Sequence, residues 1–143
     1  NYFNLIERKD LLSLPLNADD KHSHSWNQFV IRLENKNYSI KKNHSELFET
    51  DYRNNKSLRN LLKISLIDKG INSIIYYPIP IHAQLAYKKK KYDRELLINT
   101  EKVCTEVLSL PMFPEITYEE QVYITDNLNL ILDENIKKIQ ISA

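Results

Sequence analysis

Glycine is almost missing from this sequence of 143 residues, in which Gly70 is the only one. Glycine is the usual residue where a backbone adopts a positive φ or approaches a ligand closely, so the chain can build few sites of that kind. Cysteine is equally scarce. Cys104 stands alone and cannot form an internal disulfide, and we therefore expect a reducing compartment, such as the cytoplasm or an organelle stroma.

An excess of charge of one sign and long apolar runs are missing as well. The 20 Lys and Arg residues nearly balance the 19 Asp and Glu residues, whereas nucleic-acid-binding domains usually show a marked basic excess. No apolar run reaches the length of a membrane span, and the start shows no signal-peptide pattern. We therefore expect no nucleic-acid partner and no membrane span.

What is present is typical of a globular chain. Hydrophobic residues make up 42% and charged residues 27% of the sequence, a composition too apolar for a disordered chain. The length fits a single domain over residues 1–143. Its first part, residues 1–22, resembles a lead-in segment with a short leucine cluster more than a strong helix.

The hydrophobic pattern predicts alternating strands and helices. Apolar residues recur at every second position within 25–33, the period of a half-buried strand, which Trp26 and Asn27 would open as core and edge residues. Residues 34–55 are polar, and we predict a long exposed loop there. A helix with Gly70 as its C-terminal cap follows. Its apolar residues at helical spacing are Leu58, Leu61, Leu62 and Leu66.

The second half of the chain continues this alternation. Residues 71–77 are rich in strand formers and are followed by two prolines, which cannot donate to a sheet ladder. A helix is predicted over residues 94–108, then a short strand. A last helix starts at Thr117, where Glu120 completes a capping box. Its apolar stripe comprises Ile124, Leu128 and Ile131. This order of elements predicts an α/β (α+β) domain.

Three segments carry a pattern whose order and spacing belong together. They are HSWNQFVIR at residues 24–32, GINSIIYYPIPIHAQLAY at residues 70–87 and EVLSLPMFPEIT at residues 106–117. A lone Tyr-Pro pair would be a weak signal, but the long second segment followed by the third is specific. Together they resemble the C-terminal part of the DegT/DnrJ/EryC1/StrS aminotransferases.

The resemblance implies a fold and an activity. Members of this family are pyridoxal-phosphate (PLP) enzymes that place an amino group on a keto sugar attached to a nucleotide. The matching part would be the small C-terminal domain of a fold type I aminotransferase, a few-stranded sheet flanked by helices. In such enzymes the preceding large domain carries the lysine that binds PLP and the acid that pairs with its ring nitrogen.

Neither of those two motifs is present in this sequence. The lysine run at residues 88–91 has the character of a solvated surface rather than of one desolvated amine. The resemblance therefore implies PLP in the full-length family, but no cofactor site and no catalytic residue in this chain alone. It also implies a partner, either the missing PLP domain or a second copy in a homodimer.

The sequence departs from the family pattern at several positions. Tyr76 replaces the histidine of many members, and Lys91 stands where a glycine is usual. Ile98 and Thr100 replace an expected proline and alanine, and residues 34–55 are longer than the usual link. These departures support an alternative function, a non-catalytic relic of such an enzyme that serves as a binding or assembly module in a larger complex.

The segment of residues 76–82 is the best candidate for ligand contact. Its two prolines hold neighbouring side chains in place at low entropic cost, and tyrosine and histidine offer donors and acceptors suited to sugar hydroxyls or a phosphate. The resemblance places the segment near the substrate cleft. It implies four substrate-binding residues, Tyr76, Tyr77, His82 and Gln84. The alternative is that Tyr77 and the prolines only shape the core.

Other candidate groups have simpler interpretations. His22, His24 and His44 lack a convincing ligand pattern, so we predict no metal site. Ser109 lacks the glycines of a nucleophile elbow. We interpret Cys104 as a small buried apolar residue rather than as a nucleophile.

Overall fold

The computed structural model of this chain describes residues 1–16, 24–34, 57–87 and 95–141. Within these ranges, α-helices pack around a two-stranded antiparallel sheet. In chain order the elements are α1 (Tyr2–Leu5), β1 (Phe29–Arg32), α2 (Leu58–Asp68), α3 (Ile98–Glu106), β2 (Val107–Leu110) and α4 (Tyr118–Ile141). Short 3-10 turns occupy Ile81–Ala83, Leu85–Tyr87 and Glu95–Leu97. This mixture of helices and a small sheet confirms the predicted α/β (α+β) class.

The sheet places its apolar residues on one face. β1 and β2 pair antiparallel, with Phe29 opposite Leu110 and Ile31 opposite Leu108. Successive side chains of a strand point to opposite faces, so these four residues share a face, and all four are buried. β1 lies inside the strand predicted over residues 25–33 but begins later.

The late start of β1 corrects the position expected for Trp26 and Asn27. Trp26 has a φ of 50°, in the left-handed region where an extended strand cannot continue, and Asn27 lies in a bend. Neither residue opens the strand. Trp26 still packs against the core, because its ring centroid lies 5.5 Å from that of Phe29.

The strand predicted over residues 71–77 is reduced to a single bridge. Ile74 N–H donates to the Ser109 carbonyl (3.0 Å), and Ser109 N–H donates to the Ile74 carbonyl (2.7 Å). Burial still alternates, since Ser73 is buried between exposed Asn72 and Ile74. The segment is therefore extended, but it adds one residue pair to the edge of β2 instead of a full strand.

α2 begins and ends where the sequence indicated. The Ser57 hydroxyl accepts a hydrogen bond from Asn60 N–H (3.3 Å) as the N-terminal cap. Gly70 follows the helix with a φ of 74°, a conformation that strains glycine least. Leu62 and Leu66 are buried in the core as predicted.

One flank of α2 carries buried charge in place of apolar packing. Arg59 and Lys63 are buried, although Leu61 of the predicted apolar set is exposed. The Arg59 guanidinium donates to the carbonyl oxygens of Cys104 (3.3 Å) and Val107 (3.1 Å), at the C-terminal end of α3. It thereby satisfies carbonyl groups that a helix end leaves without partners.

The helix predicted over residues 94–108 is shorter in the structure. α3 ends at Glu106 and the chain passes directly into β2, so Leu108 lies in a strand rather than on a helix face. Leu108 pairs with Ile31 of β1, and both are fully buried. Strand pairing and core burial outweigh the helical spacing of the local sequence.

α4 carries the capping box that the sequence predicted. Thr117 N–H donates to Glu120 Oε2 (2.9 Å), and Glu120 N–H donates to Thr117 Oγ1 (3.1 Å). The predicted apolar stripe is buried and comprises Ile124, Leu128 and Ile131. α4 packs beside α1 and α2, and the apolar side chains of these helices join those of the sheet in one core.

The lead-in segment contributes more to the core than the sequence indicated. Tyr2 and Ile6 are buried, and the Tyr2 hydroxyl donates to the Pro111 carbonyl (2.7 Å), just beyond β2. The first helical turn is therefore attached to the distant end of the sheet. The described residues do not include residues 17–22 of this segment. They also do not include residues 35–55, which are all but the first residue of the loop predicted over residues 34–55.

Candidate functional site

A polar groove lies along the edge of β2 that pairs with Ile74. Its volume is about 360 Å³, at the small end of the range for ligand sites. Its walls come from the residues before β1, from the extended segment after Gly70 and from β2 with the residues that follow it. The polar lining residues are Asn27, Gln28, Asn72, Tyr76 and Ser109. We call this cavity the Ser109 groove.

Hydrogen bonds hold the walls of the Ser109 groove together. The Ile74–Ser109 bridge ties the extended segment to β2, and the Tyr2 hydroxyl fixes the carbonyl of Pro111. Ser109 alternates with the core residues of β2, so its side chain lies on the other face of the strand. The apolar part of the lining consists of Ile74, Leu110, Pro111 and Met112.

The side chain of Ser109 has an unusual environment. Ser109 is only 5% exposed, and its hydroxyl has no hydrogen-bond partner, whereas buried polar groups nearly always have one. Among the described residues Ser73 is the other case, but it does not line the groove. The Ser109 hydroxyl is therefore a donor and an acceptor that the described protein leaves unused.

The Ser109 groove is polar without being charged. None of the described residues that line it carries a formal charge. The side-chain amides of Asn27, Gln28 and Asn72 each offer donors and an acceptor, and the Tyr76 phenol offers one of each. Within the described part of the chain these amides form no hydrogen bond with other residues. The groove can therefore bond a ligand from several directions.

The structure separates the four residues that the resemblance implies as substrate contacts. Tyr76 lines the Ser109 groove. Tyr77 is 69% exposed and Gln84 is exposed as well, and neither lines that groove. His82 lies in the 3-10 turn after the prolines, with its ring directed onto α3. Of the four residues, Tyr76 alone meets the groove.

His82 forms a buried pair with Glu101 of α3. Its Nε2 atom lies 3.0 Å from Glu101 Oε1, and the two side chains are 8% and 0% exposed. The pair connects the proline segment to α3, because each partner comes from one of these elements. Helical spacing does not reveal that Glu101 is buried, because a glutamate on a helix is usually exposed.

Arg59, Lys63 and Cys104 form a second cluster of ionisable groups. Burial lowers the pKa of Arg59 to about 10. Burial also lowers the pKa of Lys63, and the neighbouring Arg59 charge adds to that effect. The pKa of the Cys104 thiol is raised by burial, with the Arg59 charge opposing. A thiol kept protonated is a poor nucleophile, which agrees with the expectation that Cys104 is not a nucleophile, but Cys104 is half-buried rather than buried as predicted.

A second groove, of about 640 Å³, lies between the end of α2 and the start of α4. Its apolar lining includes Ile71, Phe113 and Tyr123, and Glu119 and Glu120 of the first turn of α4 also line it. The Glu120 carboxylate already accepts the capping hydrogen bond. This groove is thus mainly an apolar surface beside the capping box.

The described lysines do not fit a covalent PLP site. Such a site requires a desolvated amine that faces a cavity. Lys63 is buried, but its ammonium group donates to the Ser73 carbonyl, and it lines neither groove. The other lysines whose side chains are described are exposed or half-buried and line neither groove. Residues 88–91 lie outside the described residues.

The structure also bears on metal binding and on membrane spans. The described residues contain no group of three or more His, Cys, Asp or Glu side chains able to hold a metal ion. His24 stacks on Trp26 with ring centroids 4.3 Å apart, while His22 and His44 lie outside the described ranges. No helix in the described ranges is both long enough and apolar enough to cross a membrane.

The sequence indicates one wall of the Ser109 groove, at Tyr76, but not the others. From the sequence we expected Asn27 at a strand edge and considered Ser109 only as a nucleophile. The available signal is the position of Ser109 between Leu108 and Leu110. A polar residue at the alternate position of a buried strand points to the face opposite the core.

Comparison with known sequences identifies a family. A family model described as the DegT/DnrJ/EryC1/StrS aminotransferase family matches residues 3–129. The chain is 30% identical over 129 residues to the pleiotropic regulatory protein of Geobacillus stearothermophilus, covering 89% of the chain and 28% of that relative. It is 27% identical over 122 residues to the dTDP-3-amino-3,6-dideoxy-alpha-D-galactopyranose transaminase of Aneurinibacillus thermoaerophilus, covering 85% and 26%. The chain thus spans little more than a quarter of these relatives.

Solved structures show the same fold. A DegT DnrJ EryC1 StrS aminotransferase from Brucella abortus superposes with a TM-score of 0.63 at 28% identity, over 89% of this chain and 27% of that one. DesV from S. venezuelae superposes with a TM-score of 0.68 at 22% identity, over 90% and 28%. The second likeness concerns the fold alone. In both, the matched region is little more than a quarter of a longer chain.

Proposed function

This chain belongs to the DegT/DnrJ/EryC1/StrS aminotransferase family, and we propose that it is the C-terminal domain of a PLP-dependent sugar-nucleotide aminotransferase. The whole enzyme would transfer an amino group to a keto sugar attached to a nucleotide, and this domain, residues 1–143, would help to close the substrate cleft. The observation that carries the proposal is the family match over residues 3–129. The sugar transaminase of A. thermoaerophilus among the relatives supports the sugar substrate.

The cofactor would be held outside the residues described above. PLP, when bound, supplies the electron sink for amino transfer, and the described lysines do not fit its attachment. We therefore assign this chain a binding and shaping role and no chemical step. In this proposal the PLP domain belongs to the remainder of a longer protein or to a separate chain, and a second copy in a homodimer is a further partner.

Four residues of the proline segment are the proposed substrate contacts, and the structure supports them to different degrees. Tyr76, Tyr77 and Gln84 expose their side chains, so a substrate can reach them without rearrangement. His82 is nearly buried against Glu101. Its contact with Glu101 supports a role in holding the proline segment against α3. This contact supports a direct contact with the substrate less well.

The alternative function is a non-catalytic relic that serves as a binding or assembly module. No contact within the described residues, and no relative named above, favours that alternative. The free Cys104 agrees with the reducing compartment that we propose for the protein, which both functions would share.

The proposal is tested by supplying the remaining part of an aminotransferase. The chain is mixed with PLP and the PLP domain of the B. abortus relative, L-glutamate is added, and the cofactor absorbance is followed. We expect a glutamate-dependent spectral change from the mixture that exceeds the change from the PLP domain alone. The chain by itself should give none. Equal responses with and without the chain, from a cofactor-loaded PLP domain, would contradict the proposal.

A matched pair of variants tests the proline segment in the same assay. Tyr77→Phe removes one exposed hydroxyl from the segment, and we expect a response slowed by up to about 10-fold, the value of one hydrogen bond. Tyr118→Phe makes the same chemical change at an exposed position of α4 and should respond like the unmodified chain. Identical responses of the two variants would remove Tyr77 from the proposed contacts.

A further inference from the structure

The proline segment of residues 76–82 is attached to the rest of the molecule on both sides. Before it, the bridge between Ile74 and Ser109 ties the chain to the edge of β2. At its end, the His82 ring is directed onto α3, where Nε2 lies 3.0 Å from Oε1 of Glu101. The exposed side chains of the segment are therefore presented by a stretch that is held at both ends.

Apolar burial does not explain the second attachment, because it ends at Pro80. No residue from 81 to 87 is buried as a whole, and Ile81 and Leu85 are 67% and 86% exposed. Apolar side chains that stay in water contribute little to holding a segment in place. The side chain of His82, in contrast, is only 8% exposed. Its contact with α3 is thus the attachment that the structure shows for this turn.

Glu101 is a residue whose burial requires an explanation. Its side chain is 0% exposed, and carboxylates are almost never fully buried unless they have a partner. α3 carries a second fully buried carboxylate, Glu106, which bonds Arg32 of β1. The two carboxylates of one helix therefore hold two different elements, the proline segment and β1.

We propose that Glu101 is a positioning residue for the substrate contacts of the proline segment. With no exposed surface it cannot touch a substrate itself. It acts through His82, which it holds against α3, and so fixes the stretch that presents Tyr76 and Tyr77. The inference rests on the proposed function, because only that function makes these side chains substrate contacts. It adds a residue that lies outside the three family segments and lines neither groove.

Amide hydrogen exchange in the 143-residue chain, followed by NMR, tests this attachment. The N–H groups of Ala83 and Gln84 donate to the carbonyls of Pro80 and Ile81 (3.0 and 3.1 Å), and we call them the turn amides. Glu101→Gln replaces the carboxylate with a neutral amide of the same size. We expect the turn amides to exchange about 10- to 100-fold faster, the value of one charge-assisted hydrogen bond.

Two comparisons separate positioning from a general loss of stability. The amide of Leu128, buried in α4, reports unfolding of the whole chain, and its exchange should accelerate less than that of the turn amides. Glu106→Gln is the matched control, because it makes the same change at the other fully buried carboxylate of α3. It should leave the ratio of turn-amide to Leu128 exchange unchanged. An equal increase of that ratio in both variants, or no increase in Glu101→Gln, would overturn the assignment.

A substitution of the other partner shows whether Glu101 acts through His82. His82→Gln should accelerate the turn amides as well, and adding Glu101→Gln to it should produce little further change, since both substitutions break one contact. Additive effects would overturn the route through His82. If Glu101→Gln does not fold, His82→Gln still tests the same contact.

The transamination assay completes the test. There Glu101→Gln should slow the glutamate-dependent response by about 10-fold, because misplaced contacts orient a substrate less well. Faster turn-amide exchange with an unslowed response would overturn the positioning role. The exchange experiment needs neither PLP nor a second domain, so the two proposals fail separately. No response from the unmodified chain would reject the proposed function, whereas a normal response with unchanged exchange in Glu101→Gln would reject the role of Glu101 alone.

Discussion

The two faces of β2 are equally buried but do different things. Leu108 and Leu110 face the core and pack with side chains of the helices. Ser109 lies between them, is also buried, and presents an unpaired hydroxyl on a residue that lines a polar groove. Burial alone therefore does not show that a residue stabilises the fold. The chemistry of its neighbours decides that.

Approximate energies make the difference concrete. Complete burial of a leucine side chain stabilises a protein by about 1.5–3 kcal/mol, whereas a buried hydroxyl without a partner costs about 1–3 kcal/mol. The core face thus contributes stability, and the groove face tolerates an unfavourable arrangement. A local conflict of this kind is typical of functional sites.

The largest effect of a substitution is expected on the core face. Leu128→Ala removes a side chain of α4 with 0% exposure, and we expect the free energy of unfolding to fall by about 2–5 kcal/mol. Leu130→Ala, on the same helix at 50% exposure, should change it by no more than about 0.5 kcal/mol. Urea unfolding measures both variants. Similar losses in the two would contradict the packing of α4 through the predicted stripe.

The second largest loss in the free energy of unfolding is expected at a buried ion pair away from the core face. Glu106 is fully buried at the end of α3, and its Oε2 atom lies 2.6 Å from Nε of Arg32 in β1. Glu106→Gln replaces a charge-assisted hydrogen bond, and we expect a loss of about 1.5–3 kcal/mol. The exposed Glu115→Gln changes the net charge equally and serves as the control. If the two variants unfold at the same urea concentration, the carboxylate of Glu106 does not stabilise the sheet.

Tyr2 connects the two regions, because its ring is in the core and its hydroxyl bonds Pro111 beside the groove. Tyr2→Phe keeps the ring, and we expect a loss of about 1 kcal/mol near neutral pH. Burial, together with the charge of Glu120, raises the pKa of Tyr2 above its ordinary value of 10.0. The unfolded tyrosine therefore ionises first, which stabilises the unfolded state as pH rises above about 10.

The pH dependence distinguishes the hydroxyl from the packing of the ring. The advantage of the unmodified chain over Tyr2→Phe should be constant below the ordinary tyrosine pKa and should decrease above it. Urea unfolding of both proteins from neutral pH to about pH 11 gives this difference directly. A difference that stays constant over the whole range would show that Tyr2 is not buried in its neutral form.

The smallest effects are expected from the two unpaired serines. Ser73→Ala and Ser109→Ala remove hydroxyls that have no partner. The relief of the buried hydroxyl is offset by the small cavity that its removal leaves, so we expect net changes within about 0.5 kcal/mol, or slight stabilisation. Thermal unfolding of both variants provides the check. A loss above about 1.5 kcal/mol for Ser109→Ala would show that its hydroxyl is bonded in solution, and the contrast between the two faces of β2 would disappear.

Predictions from the sequence succeeded where the signal was local. The cap at Gly70, the capping box of Thr117 and Glu120 and the stripe through Leu128 involve residues within two helical turns of one another, and the structure confirms all of them. Predictions failed where distant pairing decided the outcome. The predicted helix over residues 94–108 became α3 and β2 because β1, remote in sequence, pairs with that stretch.

The candidate site shows the same division. The family resemblance indicated Tyr76, because the proline segment that contains it is a continuous motif. Tyr76 lines the Ser109 groove. Asn27 and Ser109 come from other parts of the chain and share the groove with Tyr76 where Ile74 pairs with Ser109. Glu101 reaches His82 from α3 in the same way. None of these contacts follows from spacing along the chain.

The sequence by itself therefore determined the class of the fold, the ends of α2, the start and buried stripe of α4 and the aminotransferase family. Local backbone preferences, hydrophobic periodicity and a continuous motif suffice for these. Only the tertiary structure decided that the strand after Gly70 is reduced to one bridge, that α3 ends early and that Ser109 lines a neutral groove. Those outcomes depend on which distant residues share one edge of β2, and the order of residues along the chain does not carry that information.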